Sequence, residues 1–227
     1  MVWIHGMIEK SLVQVNRLFA KAKGGRVMSK VITISREYGA GGHSIGLKVA
    51  QQLGIPLYDK EIMEETAKAS GFDLEMVENE EEDVSKRSSI MKSICAVSSN
   101  YYFDTQDTIH DVQKVIIQNM AKKGPCIIIG RCADEVLREA GIESFNVFIH
   151  ADDVHRAVRV SQIIGSDNAT EIQKLMTKKD NKRHNYYHHY TKKKWGDGRN
   201  YHLTLDSGVL GYDLCVKLIV DAVKGSE

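Results

Sequence analysis

Apolar residues along the chain follow two periods that take turns. Val31-Ile32-Thr33-Ile34 is a short β-branched run and predicts a buried strand. Gly39-Ala40-Gly41-Gly42 follows, and then Ile45, Val49, Ala50 and Leu53 recur at helical spacing and stop at Gly54. Ile55-Pro56-Leu57-Tyr58-Asp59 predicts a second short strand ending in an acid, and Glu61 to Ser70 a helix. Apolar positions at Ile109, Val112, Val115, Ile116 and Met120 predict a helix over 109–121, broken by Gly124-Pro125. Cys126-Ile127-Ile128-Ile129 is the third strand, Phe145 to His150 the fourth and Tyr201 to Asp206 the fifth. Helices are predicted over 133–140, 154–164, 171–189 and 212–223. Strands that alternate with helices predict the α/β class, a three-layer doubly wound parallel sheet of about five strands. In such sheets ligands bind at the carboxyl ends of the strands, so the residues just after each strand carry the chemistry.

The chain has 227 residues, enough for one domain with insertions and for a core without disulfide staples. No stretch approaches the roughly 18 apolar residues of a membrane helix. The first 30 residues lack a signal-peptide pattern. Met7 to Lys23 reads as a short amphipathic helix, either a partner or membrane-surface helix or part of an extension before a start at Met28. Residues 1–27 are expected to lie outside the fold, with the domain over 28–227. Cys95, Cys126, Cys132 and Cys215 form no C-x-x-C pair, which points to reduced thiols and a cytoplasmic protein.

Lys plus Arg is 31 and Asp plus Glu is 30, a net charge of +1 that argues against a generally basic nucleic-acid binder. The balance is a cancellation. Six acids crowd between Glu75 and Asp83, a pattern of a solvated face or loop. Nine bases lie between Lys174 and Arg199, opposed by Asp180 and Asp197 alone. That segment reads as a lid over a polyanion, a solvated helix face, or a nucleic-acid patch with interleaved Tyr186, Tyr187, Tyr190 and Trp195. His184 and His188 have metal-compatible i, i+4 spacing but no carboxylate between them.

After the first strand comes Ser35-Arg36-Glu37-Tyr38-Gly39-Ala40-Gly41-Gly42-His43-Ser44. A glycine-rich turn opening a helix exposes backbone N–H groups and the positive end of the helix dipole, which suits a phosphate. The alternative is a tight strand-to-helix turn. The standard phosphate loop reads G-x-x-x-x-G-K-[ST]. Here its last glycine is Gly41, while Arg36 stands at the first glycine place and Gly42 at the lysine place.

Ser35 through Gly46, Ile55-Pro56-Leu57-Tyr58-Asp59-Lys60-Glu61 and Ile129-Gly130-Arg131-Cys132-Ala133-Asp134 together resemble the cytidylate kinase-like family, a branch of the P-loop nucleoside monophosphate kinases. Asn146 to Ala151, Lys179 to Arg183 and Leu205-Asp206-Ser207 fit the same layout, so the resemblance spans roughly Val31 to Val223. It implies an ATP- and Mg2+-dependent transfer of phosphate to a nucleotide acceptor, CMP being the family's eponym. Gly39, Ala40, Gly41, Gly42, His43 and Ser44 fall at the donor loop, with the Ser44 hydroxyl toward phosphate and Mg2+. Asp59 and Arg131 fall at the acceptor. Residues about 60–108 fall at an acceptor-side insertion. Lys179, Lys182 and Arg183 fall in a lid over about 170–200 that clamps the transferring group.

Two departures stand out: Gly42 in place of the lysine, and Ile129 where an acid helps to place Mg2+. Arg36 is close enough in sequence to supply the missing charge. Without such a replacement the fold would bind nucleotide and not turn it over, so a nucleotide-binding regulatory protein is the rival expectation.

Overall fold

The β-branched runs become one parallel sheet. The computed structural model describes residues 31–80 and 105–225. Its strands are β1 (Val31–Arg36), β2 (Leu57–Tyr58), β3 (Cys126–Ile129), β4 (Ser144–His150) and β5 (Leu203–Asp206), in the order β2-β3-β1-β4-β5. All pairs are parallel, with Ile34 opposite Ile129 on one side and Val147 on the other. The helices are α1 (Gly42–Leu53), α2 (Lys60–Ser70), α3 (Leu74–Glu80), α4 (Thr105–Lys123), α5 (Ala133–Glu139), α6 (Asp153–Ile164), α7 (Ala169–Thr191) and α8 (Ser207–Lys224). The predicted doubly wound, three-layer architecture is the observed one.

Alternation along the strands decides which layer each residue feeds. Ile32, Ile34, Ile127, Ile129, Val147 and Ile149 pack on one face against Ile45 and Val49 of α1 and Val216 and Ile219 of α8. Val31, Cys126 and Ile128 pack on the other against Ile62 of α2, Ile117 and Met120 of α4, and Val136 and Leu137 of α5. β1, which has neighbours on both sides, therefore delivers its last residues to the middle of the sheet edge. Cys126, Cys132 and Cys215 are buried free thiols, and Cys95 lies outside the described residues. No described helix is long and apolar enough to cross a membrane.

Three details differ from the pattern-based expectation. β2 shrinks to two residues because it pairs with β3 alone and Pro56 has no N–H to give. The acidic run begins as α3, whose Val77 is fully buried. The helix over 212–223 extends back to Ser207 through a kink at Gly211. Glu81 to Asp83, with the rest of residues 81–104 of the proposed insertion, and the Met7 to Lys23 helix lie outside the described residues.

The aromatics of the basic helix face inward. Tyr186 and Tyr187 of α7 are buried and pack with Cys132, flanked by Tyr190 and Trp195. Tyr187 donates to Asp134 Oδ2 at 2.7 Å, and Tyr186 donates to Gln113 Oε1 at 3.1 Å. These contacts tie α7 to α4 and α5, so the two rings are core rather than a stacking platform for bases.

His110 of α4 shares this interface, 2.8 Å from the Tyr186 hydroxyl and stacked on Tyr190 at 3.6 Å. Burial lowers its pKa to about 4, with the Lys114 charge acting in the same direction. The native state keeps the imidazole neutral, whereas the unfolded chain protonates near 6.5. Stability is therefore expected to fall as pH drops from about 6.5 to about 4, by on the order of 3 kcal/mol. Denaturation midpoints measured across that range should slope in the wild type and be flatter in His110→Phe.

Candidate active site at the carboxyl ends of β1, β2 and β3

The loop after β1 is shaped for close approach. Gly39 and Gly41 take left-handed conformations, with φ of 87° and 80°. A Cβ at Gly41 would lie 2.1 Å from the Tyr212 hydroxyl, so α8 leaves no room for a side chain there. Ser207 donates to Ala40 O at 2.7 Å and fixes the loop from the same side. Helices α6, α7 and α8 start on side-chain caps from Asp152, Asn168 and Asp206. α1 starts on Gly41 with no side-chain cap. Its first N–H groups and the positive end of its dipole are thus presented by the backbone alone, as a phosphate site requires.

Arg36 explains the unusual glycine at the lysine place. A Cβ on Gly42 would sit 2.5 Å from Arg36 Cβ, and a Cβ on Gly130 would sit 2.3 Å from Arg36 Nη1. The Arg36 side chain runs past α1 to the end of β3 through space that two glycines leave open. Restoring the standard motif with Gly42→Lys is consequently expected to reduce nucleotide binding, not improve it. Overpacking of this kind costs about 1–3 kcal/mol. Thermal melting and titration with an ATP analogue check both effects.

Asp59, at the end of β2, gathers the neighbouring charges. Its Oδ1 accepts from Arg131 Nη1 at 3.0 Å, and its Oδ2 is 2.7 Å from His43 Nδ1. Burial by itself would raise this carboxyl. The Arg36 and Arg131 guanidiniums, with the hydrogen bonds from Arg131 and His43, outweigh burial and hold it below the usual carboxylate range. Asp59 is therefore an anion at neutral pH. In the register of the standard motif, His43 stands at the hydroxyl place; Ser44 follows it, half-buried in the first turn of α1.

Arg131 is aimed by its backbone. Gly130, Arg131 and Cys132 are left-handed in succession, at φ of 73°, 56° and 52°. Such conformations are strained for Arg and Cys and persist only where surrounding contacts impose them. The turn brings Arg131 Nη1 onto Ile129 O at 2.8 Å as well as onto Asp59, and its side chain is 95 % buried, at 5 % relative exposure. Arg36, Arg131 and Arg183 line one cleft of about 100 Å³, with Ser35, Asp134 and Trp195 among its walls. Three arginines from β1, the β3 turn and α7 thus line a single small space.

Of the basic residues predicted on α7, Arg183 reaches this cleft, while Lys179 and Lys182 are half-buried on the same helix and lie outside its lining. Arg183 donates to Arg36 O at 3.1 Å. Further along, Lys193 pairs with Glu135 at 2.7 Å, and the Trp195 indole donates to Ser35 Oγ at 3.0 Å. The basic segment is thereby seated on the fold rather than held away from it. His43, Asp59, Arg131 and Arg36, nominated separately from sequence, come together here.

Four residues were not legible in advance. Glu37, Arg156 and Asp180 form an ion network beside the loop, and Asp134 is a buried acid in the cleft wall. Burial raises the Asp134 carboxyl, against the Tyr187 hydrogen bond. The one advance signal was Asp180 as a lone acid among the bases of α7. Among the described residues no group of three or more His, Cys, Asp or Glu side chains is arranged to hold a metal ion.

Comparison with known proteins agrees with the fold. An uncharacterized protein from Eubacterium ventriosum ATCC 27560 has 26% sequence identity and a TM-score of 0.64, over 86% of this chain and 98% of that one. Shikimate kinase from Acinetobacter baumannii, solved with shikimate, has 12% identity and a TM-score of 0.50, over 89% and 96%. Shikimate kinase from Bacteroides thetaiotaomicron has 11% identity and a TM-score of 0.52, over 86% and 98%. At these identities the two shikimate kinases bear on the fold alone. No protein of curated function matches the chain. The sequence profile of the cytidylate kinase-like family matches residues 31–209, from the first residue of β1 into the first turn of α8, and the chain belongs to that family.

Proposed function

We propose that the protein is an ATP-dependent phosphotransferase of the nucleoside monophosphate kinase type, with CMP the first acceptor to test. The observation that carries this reading is the convergence of Arg36, Arg131 and Arg183 on one cleft beside the uncapped head of α1. Phosphoryl transfer asks for positioning and for charge stabilisation around the moving group, and an acceptor phosphate is already anionic. The backbone of Gly39 to Ser44 holds the donor phosphates. Asp59 and Arg131 orient the acceptor. Arg36 stands between the two, and Arg183, with Lys179 and Lys182 on the same helix, closes positive charge over the transferred group.

Mg2+ would enter this site only as a companion of the nucleotide, because the described residues supply no ligand set of their own. Ile129 is fully buried and apolar at the place of the missing acid, and Asp59 is engaged by Arg131 and His43. Ser44 is the loop hydroxyl left for the ion. When bound, the ion neutralises phosphate charge; the chain's own part is to hold the phosphates in place.

Gly42 and Ile129 favour the rival reading of nucleotide binding without transfer. Calorimetry separates binding arrangements. A non-hydrolysable ATP analogue and CMP should occupy the chain together, with Arg131→Met weakening CMP and sparing the analogue. Mutual displacement of the two ligands would contradict two adjoining sites.

A further inference from the structure

The contact between α7 and the glycine-rich loop runs through an acid. Asp180 Oδ1 accepts from the Tyr38 N–H at 2.8 Å, 142 residues away in sequence. Its Oδ2 accepts from Arg156 Nη2. Arg156, itself buried, also donates through Nε to Tyr38 O at 2.9 Å and lies 3.2 Å from Glu37 Oε2. Both backbone groups of Tyr38 are thus taken by one ion pair. On the far side of Asp180, Arg183 lies 3.7 Å away, packs over the Tyr38 ring at 5.6 Å and donates to Arg36 O. The backbone of Arg156 comes so close to Gly39 that a Cβ there would be 2.8 Å from Arg156 O. Residues 36–39, the first half of the loop, are gripped by α6 and α7 together.

Each arginine alone would be drawn toward phosphate wherever it happened to stand. A carboxylate between them, bonded to the loop backbone, fixes both at a set distance from the loop. It also orders the loop without a ligand, so that less conformational freedom is lost when a nucleotide binds. We propose that Asp180 is a positioning residue that locks α7 to the glycine-rich loop, preforms the donor-phosphate site and sets Arg183 at the cleft. The proposal rests on the phosphotransferase reading for its purpose, though not for its geometry. Glu37 and Asp153 also face Arg156, and neither reaches the Tyr38 N–H from α7.

Two measurements on the full chain test it. Amide hydrogen exchange reads the lock without any nucleotide. In Asp180→Ala the Tyr38 amide should exchange about tenfold faster or more, while the Ile32 and Ile34 amides of β1 keep their protection. Titration with a non-hydrolysable ATP analogue reads its purpose. Asp180→Asn keeps an acceptor for the Tyr38 N–H but loses the charge and turns an amide donor toward Arg156. It should bind the analogue about tenfold more weakly, with CMP affinity within about twofold of wild type and Asp180→Glu recovering part of the loss. Unchanged Tyr38 exchange, or a uniform rise across β1, would overturn the lock. A wild-type chain that ignores the analogue would refute the phosphotransferase reading, and the exchange result would still decide the lock by itself.

Discussion

Arg36→Met is expected to slow phosphoryl transfer about a hundredfold or more, with the fold retained. Methionine keeps the β- and γ-carbons that pack against Gly42, so the packing that excludes a lysine at position 42 is kept. What disappears is one fixed positive charge between the donor loop and Asp59. The backbone carbonyl of Arg36 still accepts from Arg183, so the seating of α7 is untouched. The loss should fall on kcat, because a charge that matters most as the phosphoryl group moves does little for ground-state binding. Steady-state kinetics beside a thermal melt measure both. Arg36→Lys should recover only part of the rate, since a shorter, point-like charge does not span from Gly42 to Gly130. A full rate in Arg36→Met would mean that the missing lysine is replaced from elsewhere.

Arg131→Met is expected to have the larger effect, on stability and on acceptor use together. Arg131 is almost wholly buried and paired with Asp59, itself only 15% exposed. Removing one partner of a buried pair costs about 3–5 kcal/mol, because the other charge is left without compensation. His43 and Arg36 remain near Asp59 and place the expected cost at the lower end. Acceptor kcat/KM should drop about a thousandfold, since the residue that orients the acceptor is gone. The double variant Arg131→Met with Asp59→Asn should regain much of the stability and none of the activity, which separates the two losses. The pair also has a pH signature. The folded pKa of Asp59 is depressed, so its contribution is present above the ordinary carboxylate pKa and disappears as pH falls through the folded value. Arg131→Met should lose this contribution already at neutral pH and show a shallower fall in denaturation midpoint below about pH 4 than the wild type.

The parts of this molecule that sequence alone exposes are those set by short-range rules. Cys126 to Ile129 is β-branched and follows a Gly-Pro break, and it forms a strand with those bounds. Val31 to Ile34 feeds two core faces by simple alternation. Asp59, His43 and Arg131 follow from their places after strands and at the head of a helix. The course of Arg36 does not, because the direction of a long side chain depends on Gly130, which is distant in sequence and adjacent in the sheet. The Glu37–Arg156–Asp180 network was likewise hidden. It depends on where α6 and α7 cross the loop, and one acid set among the bases of a helix looks from sequence like a minor exception. Tyr186 and Tyr187 carry the same lesson with opposite sign: spaced among lysines they suggest a nucleic-acid face, yet both are buried under α4 and α5.

The central claim is that these residues move phosphate rather than only bind it. Incubation of the full chain with γ-labelled ATP, Mg2+ and each common nucleoside monophosphate tests it directly. Label recovered in a nucleoside diphosphate, with ADP formed in equal amount and CMP the leading acceptor, is the predicted result. Tight ATP binding with no label on any acceptor would contradict it.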